Sequence, residues 1–371
     1  MSKSIGASRS SDVARTPSAL GFRMPAEWEP QAAVWLAWPH HRTDWPVKKA
    51  AIYWTFAEIA RLISEVERVR FLVANRRERS HATKVLGLSG VDLARVDFVE
   101  AQTNRSWTRD SLPSFVVKGR GKNREVGAVK FRFDGWGRYR DHQLDDAAGI
   151  QIAERMHHHW LPTTEVKGKP QRVVLEGGSI DVDGEGTILT TERCLLHGEH
   201  SRNAWLDRPG TEQVLSDFLG VRKVLWLPDG IAGDDTSGHV DDFCRFVAPA
   251  RVVMCEEKNR RHHNHKPLNE ARARLQGETD ANGRKIEVIG LPMPRDVRYG
   301  DLILPASYAN FLFVNGRVLV PTFNDPNDYV ALGILREVLP KHEVVGVYCR
   351  DLVLGLGTIH CSSQQEPAAG R

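Results

Sequence analysis

The feature that most constrains this chain is a rhythm: a few short β-type runs, then one helix-like stretch, about five times over at intervals of roughly 60 to 70 residues. The runs are Val69–Val73, Val96–Val99, Ser114–Val117, Ala128–Phe133, Val173–Leu175, Thr187–Thr190, Val224–Leu227, Phe243–Val247, Val252–Cys255, Ile286–Ile289, Phe311–Val314, Val318–Val320, Val344–Tyr348 and Leu352–Leu354. They are short, rich in β-branched and aromatic residues, and bounded by turn formers, so they read as strands. The helix-like stretches fall near 47–67, 144–160, 210–219, 267–276 and 327–339. In the first, Ile52, Phe56, Ile59, Ala60, Ile63 and Val66 follow the 3.6-residue period and make one apolar face. No Ser/Gly/Pro linker is long enough to separate independent units. The pattern therefore predicts a pseudo-repeated α/β architecture, with one domain over residues 21–371 after a Ser-, Ala- and Arg-rich tail over 1–20 expected to be disordered.

Composition narrows the function. A net charge of +4 over 371 residues is too weak a bias to make nucleic acid the main partner. The five cysteines are odd in number, scattered and never spaced Cys-x-x-Cys, which fits reduced thiols in a cytoplasm rather than a disulfide framework. No run approaches the length needed to cross a bilayer, so no membrane partner is expected. No phosphate-binding loop or dinucleotide fingerprint follows a strand, so no cofactor is implied. The histidines of His157-His158-His159 and His262-His263-x-His265 invite a metal reading. Adjacent helical residues diverge by about 100 degrees, and the second patch sits among Arg260, Arg261 and Lys266; solvated histidines are the expectation and no metal is assigned.

Four polar clusters abut strand-like runs, where side chains are held rigidly enough to converge. They are Ser106-Trp107-Thr108-Arg109-Asp110, Leu175-Glu176-Gly177-Gly178, Gly238-His239-Val240-Asp241-Asp242, and Gly355-Leu356-Gly357-Thr358-Ile359-His360-Cys361. Cys361, on a glycine-bearing loop after Leu352–Leu354, stands where a nucleophile would. His239 and Asp241 are two apart and would share one face of an extended strand. Together with the thiol they make an acid/base, charge-holding and nucleophile set. Plainer roles compete: a His–Asp pair that satisfies itself, a salt bridge of Asp110 with Arg109, an inert buried thiol, and a packing role for Trp107 instead of a cation-facing one.

These clusters, in this order, resemble the agmatine deiminase branch of the bacterial-type peptidylarginine deiminase family, within the guanidine-modifying superfamily. The resemblance runs from Met24-Pro25-Ala26-Glu27-Trp28 and Val34-Trp35-Leu36-Ala37-Trp38-Pro39 through Phe133-Asp134-Gly135-Trp136-Gly137, Glu176-Gly177-Gly178-Ser179-Ile180 and Ala309-Asn310-Phe311 to Ile359-His360-Cys361. It implies a five-bladed, pseudo-symmetric α/β propeller of ββαβ units with the site on its axis. It also implies roles: Cys361 the nucleophile, His239 the acid/base, Asp110 and Asp241 the carboxylates that bind guanidinium, Glu176 the partner that orients His239, and Trp107 and Gly357 substrate-lining. The implied reaction is hydrolysis of agmatine to N-carbamoylputrescine and ammonia, in polyamine formation, without cofactor; a homodimer is common in the family.

A deiminase of free or peptidyl arginine would need a carboxylate donor, for which Arg132, Arg138 and Arg140 are candidates. A catalytically dead guanidinium-binding module would not need the thiol, and a metal-dependent hydrolase would need the histidine patches. The chain departs from the family pattern at Leu356 and Thr358, where glycine and asparagine are more frequent, at Asp242, where asparagine is usual, and at Ser111-Leu112-Pro113, where Thr-Gly-Pro is commoner. Leu356 cannot take positive φ cheaply, so a shifted or narrowed catalytic loop is expected.

Overall fold

One rule of connection recurs through the fold: an antiparallel hairpin, a helix, and a third strand returning parallel to the second. The computed structural model describes residues 16–197 and 199–370. Ser114–Lys118 pairs antiparallel with Glu125–Val129, the helix Gln143–Ala153 crosses over, and His158–Trp160 returns in parallel. The same order holds for Ile180–Val182, Thr187–Thr191, the helix Arg208–Leu219 and Lys223–Leu227. It holds again for Cys244–Ala248, Arg251–Glu256, His265–Leu275 and Glu287–Pro292, and for Leu312–Val314, Arg317–Thr322, Pro326–Val338 and Glu343–Tyr348. A parallel return needs a crossover, which is why each helix stands where it does.

Two short hairpins, Thr163–Val166 with Lys169–Arg172 and Val297–Tyr299 with Leu302–Leu304, stand apart, and the four-stranded sheet joins early and late parts of the sequence. Gln31–Ala37 lies parallel to Arg68–Val73 across the helix Lys49–Ser64, and Val96–Glu100 extends the sheet. Its antiparallel strand is Ser363–Pro367. Local chemistry sets the helix limits: Asp207 caps Gly210 N with proline in the first turn and Gly220 ends that helix at φ 70°, while Asp325 and Asp328 form a reciprocal capping box. Apolar faces of sheets and helices merge into a core that holds Val34, Leu36, Phe56, Val253, Phe311, Leu319 and Val353. None of the helices among the described residues is long and apolar enough to cross a membrane.

Several sequence expectations change. Leu352–Leu354 is not a strand but part of a 3-10 turn over Leu352–Gly355. Val173–Leu175 yields only an isolated bridge between Val174 and Arg132. The helix expected over 144–160 stops at Ala153, and His158–Trp160 is a strand, so His157-His158-His159 does not ride on a helix. The helix Arg76–Leu88 went unforeseen because it is mostly polar and buries only Ala82, Val85 and Leu86. Of the tail expected over 1–20, residues 1–15 lie outside the described residues, whereas Ser18–Leu20 form a 3-10 turn.

Candidate active site

Each of the five sheets of three or four strands is entered by a short irregular segment, and these segments carry the polar clusters. Asp110 sits on the single turn Thr108–Ser111 ahead of strand Ser114–Lys118, and Glu176 precedes the turn Gly177–Ser179 ahead of Ile180–Val182. His239 and Asp241 lead into Cys244–Ala248, Asn310 into Leu312–Val314, and Cys361 into Ser363–Pro367. His239 and Asp241 are not on a strand: His239 precedes a 3-10 turn over Val240–Asp242. The structure brings all five predicted site residues together.

Cys361 Sγ lies 3.0 Å from Asn310 Nδ2 and 3.7 Å from Asp241 Oδ2. Asp241 Oδ2 also accepts from His360 Nδ1 at 2.6 Å, whose other nitrogen reaches Glu27 Oε2 at 2.8 Å, while Asp241 Oδ1 is buried without a partner. Asp110 accepts from Trp136 Nε1 and Gly178 N, each at 2.9 Å. His239 stands between two carboxylates, Nδ1 3.9 Å from Asp110 and Nε2 3.8 Å from Glu176, and neither ring nitrogen has a hydrogen-bond partner. Glu176 is held by Arg202 Nε at 2.7 Å. Close packing requires glycine at two points. A Cβ on Gly178 would sit 2.5 Å from His239 Nδ1, and one on Gly357 would sit 2.9 Å from both Cys361 Cβ and the Trp107 ring.

Charge is distributed unevenly over this cluster. Burial pushes the Cys361 thiol well up, and Asp241, Asp242 and Asp110 add to it against the opposing Asn310 contact. Burial opposes a proton on His239, yet Asp110, Cys194 and Glu176 outweigh it and hold the imidazolium well above its ordinary range. Burial acts to raise Glu176, but Arg202 and His239 dominate and bring it down to about 2. Asp241 is likewise lowered, burial being overcome by His360. Asp242 goes the other way, since burial and Asp241 both raise it well above the ordinary carboxylate range. The sequence had left the direction for Cys361 open; the geometry makes the resting group a thiol.

A cavity of about 130 Å³ opens onto the sulfur, lined near it by Trp107, Asp110, Trp136 and Gly357 and farther out by Asp44, Arg105, Tyr139 and Asp235. Cys361 is 8% exposed, enough to be reached from that cavity. Arg105 is already taken up by Asp44 and Asp141 and lies 4.5 Å over the Tyr139 ring, and Tyr139 donates to Asp235 at 2.5 Å. Arg132, Arg138 and Arg140, proposed as carboxylate donors, do not line the cavity.

Leu356 adopts the left-handed conformation, at φ 70°, and lines the cavity. Thr358 donates to Asn310 Oδ1 at 2.7 Å and so has a defined task. Sequence reasoning missed the roles open to Asn310, His360, Trp136 and Arg202. For Asn310 the signal was present: it occupies the entry segment of the one sheet from which no polar residue had been chosen.

The sequence model of the Porphyromonas-type peptidyl-arginine deiminase family matches residues 23–367. The chain is similar to the agmatine deiminase of Pseudomonas syringae pv. tomato, 37% identical over 376 residues that cover 95% of this chain and 97% of that protein. It is 36% identical to the agmatine deiminase of Pseudomonas aeruginosa (strain LESB58), over 96% of this chain and 99% of the other. Among solved structures it matches the agmatine deiminase of Enterococcus faecalis with a TM-score of 0.85 at 34% identity, covering 95% and 98% of the two chains. A cysteine-to-serine variant of C. jejuni agmatine deiminase with substrate bound matches at 0.81 and 27% identity, covering 94% and 97%.

Proposed function

We propose, from the premise that this chain belongs to the Porphyromonas-type peptidyl-arginine deiminase family, that it is an agmatine deiminase: it hydrolyses agmatine to N-carbamoylputrescine and ammonia. The observation that carries the reading is a thiol at the end of a small cavity whose inner wall offers Asp110 and whose outer wall is acidic and aromatic. A guanidinium is planar and rich in donors, so Asp110 and the unpartnered Oδ1 of Asp241 would hold it with its carbon over the sulfur. Its positive charge offsets the aspartates that keep Cys361 protonated, and the thiol loses its proton to solvent as the cation enters. The thiolate adds to the guanidinium carbon. His239 gives its proton to the departing nitrogen, ammonia leaves, and an S-alkylthiouronium remains on Cys361. His239, now neutral, takes a proton from water, whose oxygen adds to the same carbon; the C–S bond breaks, the proton of the added hydroxyl passes to the sulfur, and the ureido product forms with Cys361 again a thiol and His239 again protonated. Glu176, fixed by Arg202, stabilises the imidazolium throughout.

The outer cavity favours an ammonium tail. Asp44 and Asp235 are carboxylates, and the arginine beside them is spoken for, so nothing there is free to pair with the carboxylate of arginine. The five entry segments meeting at one site support the five-bladed propeller, with residues 21–371 as one catalytic domain. Five free cysteines fit a cytoplasmic enzyme. The deciding assay offers purified protein agmatine, arginine and an arginine peptide and quantifies ammonia and ureido product. Turnover of agmatine is expected, with Cys361→Ala lowering it by about 10⁴-fold or more. Turnover that survives without this thiol overturns the mechanism, and a preference for arginine overturns the substrate.

A further inference from the structure

The histidine patch after strand Arg251–Glu256 is not the solvated cluster its sequence suggests. His262 Nε2 lies 3.0 Å and His263 Nε2 3.3 Å from one and the same oxygen, Oδ1 of Asp296. The two imidazole rings stand 3.9 Å apart, and one ligand atom from each of the three residues lies within 4.8 Å of the others. A tetrahedral ion with bonds of about 2.0 to 2.1 Å sets its ligand atoms about 3.3 Å apart, so the trio is spaced as the edges of such a shell. Supporting contacts surround it. The other nitrogen of His262, Nδ1, accepts from Asn264 N at 3.3 Å and lies 3.6 Å from Glu257 Oε2. Arg298 holds the second oxygen of Asp296 at 2.8 Å. The three side chains are between 19% and 31% exposed, so an ion can enter from solvent and keep a water as fourth ligand.

We propose that His262, His263 and Asp296 form a binding site for a divalent transition-metal ion of the zinc class, separate from the catalytic cavity, none of whose lining residues it shares. Two imidazoles and one carboxylate are a donor set for zinc, cobalt or nickel rather than for calcium or magnesium, which take oxygen. The ion ties the segment after Arg251–Glu256 to the segment after Glu287–Pro292. Asn264, which follows His263 and is buried, accepts from Ala232 N at 2.8 Å through Oδ1. Ala232 belongs to the segment that runs on through Asp235 and Thr236 to His239, so the site braces that segment from behind.

Cobalt(II) is the probe, because its spectrum distinguishes this site from two groups that contain a thiol, Glu176 with Cys194 and His239, and Asp241 with Asp242 and Cys361, whose ligand atoms also lie within 4.8 Å of one another. The purified full chain, first dialysed against a chelator, is titrated with Co2+. Binding of one equivalent with d–d absorption and no thiolate-to-cobalt charge transfer is expected, weakened at least tenfold in His263→Ala and in Asp296→Asn and unchanged in His157→Ala. Zn2+ should displace the cobalt and raise the thermal midpoint of the wild type but of neither variant. A spectrum carrying only sulfur charge transfer, or binding indifferent to both substitutions, means that the trio is held by hydrogen bonds alone and overturns the site. Both variants change solvent-reached side chains, and the agmatine turnover they retain reports that they fold.

Discussion

Asn310 points its amide nitrogen at the sulfur of Cys361, 3.0 Å away, and the same nitrogen faces Asp241 at 3.3 Å and Asp242 at 3.1 Å. Its orientation is locked from the other side, where Oδ1 accepts from the Thr358 hydroxyl at 2.7 Å and from Cys361 N at 3.3 Å. Asn310 is thus the donor that stabilises a thiolate among carboxylates. Asn310→Ala is expected to lower kcat by about 10- to 100-fold, the worth of a hydrogen bond to a charged group. It should also displace the acid limb of the pH profile upward, which a purely structural role would not do. Thr358→Val should reproduce part of both effects and Thr358→Ser should restore them.

The pH profile itself follows from the raised thiol. In the free enzyme the Cys361 proton is held by burial and by Asp241, Asp242 and Asp110, so kcat/KM should climb with pH well past neutrality. His239, also raised, keeps its proton further into the alkaline range than an ordinary imidazole, and its loss of that proton gives the descending limb. Bound agmatine cancels carboxylate charge, so the ascending limb of kcat should lie at lower pH than that of kcat/KM. Coincident limbs, measured as ammonia release over a pH series, would sink the idea that the substrate cation activates the thiol.

Arg202 is wholly buried against Glu176 and also donates to the carbonyls of His200 and Thr236, each at 2.6 Å. Arg202→Met should destabilise the fold by about 3 to 5 kcal/mol, because it strands a buried carboxylate. Adding Glu176→Gln should recover part of that loss in urea unfolding. The lowered Glu176 also sets a sign. Its contribution is fully present above its unfolded value and is lost as pH falls from 4.5 toward about 2. The wild type should therefore lose on the order of 3 kcal/mol over that window, and Glu176→Gln should lose less.

Leu356 bears the strain of a left-handed residue with a side chain, on the order of 1 to 2 kcal/mol. Leu356→Gly releases it while giving up half-buried packing and chain stiffness, so its unfolding free energy should stay within about 1 kcal/mol of wild type. Leu356→Val, β-branched at positive φ, should lose about 1 to 3 kcal/mol. Urea titration of the three proteins separates these outcomes, and a Val variant as stable as wild type would contradict the assigned backbone.

What was legible in the sequence was what periodicity and motif chemistry can encode. Val69–Val73 and Val252–Cys255 announce themselves because strands buried on both faces must be apolar. Cys361, His239, Asp241 and Glu176, the proposed site residues, announce themselves because polar groups sit near glycines beside strand-like runs, and Asp110 because its polar cluster abuts such a run. Ser363–Pro367 does not, since its burial is satisfied by polar contacts: Gln364 to the Pro113 carbonyl at 2.6 Å, Arg109 to Gln365 at 2.5 Å, and Trp35 to Glu366 at 2.8 Å. No apolar pattern marks a strand stabilised that way. Leu352–Leu354 misleads for the opposite reason, being apolar enough for a strand but wound into a turn whose Leu352 carbonyl accepts from Trp45 Nε1 at 2.9 Å. The sites of Asn310 and His360 were visible as letters, but their work lies in distances that only folding sets.

The antiparallel partner of Gln31–Ala37 is the strand Ser363–Pro367, with Trp35 and Glu366 in contact across 331 positions of sequence. On the ribosome, the sheet around Gln31–Ala37 must therefore wait with one edge bare until Ser363–Pro367 has emerged. Cys361 comes into place in that same event, so a nascent chain gains its proposed nucleophile only as that edge is covered, and one terminated ahead of it exposes a sticky margin and lacks the thiol.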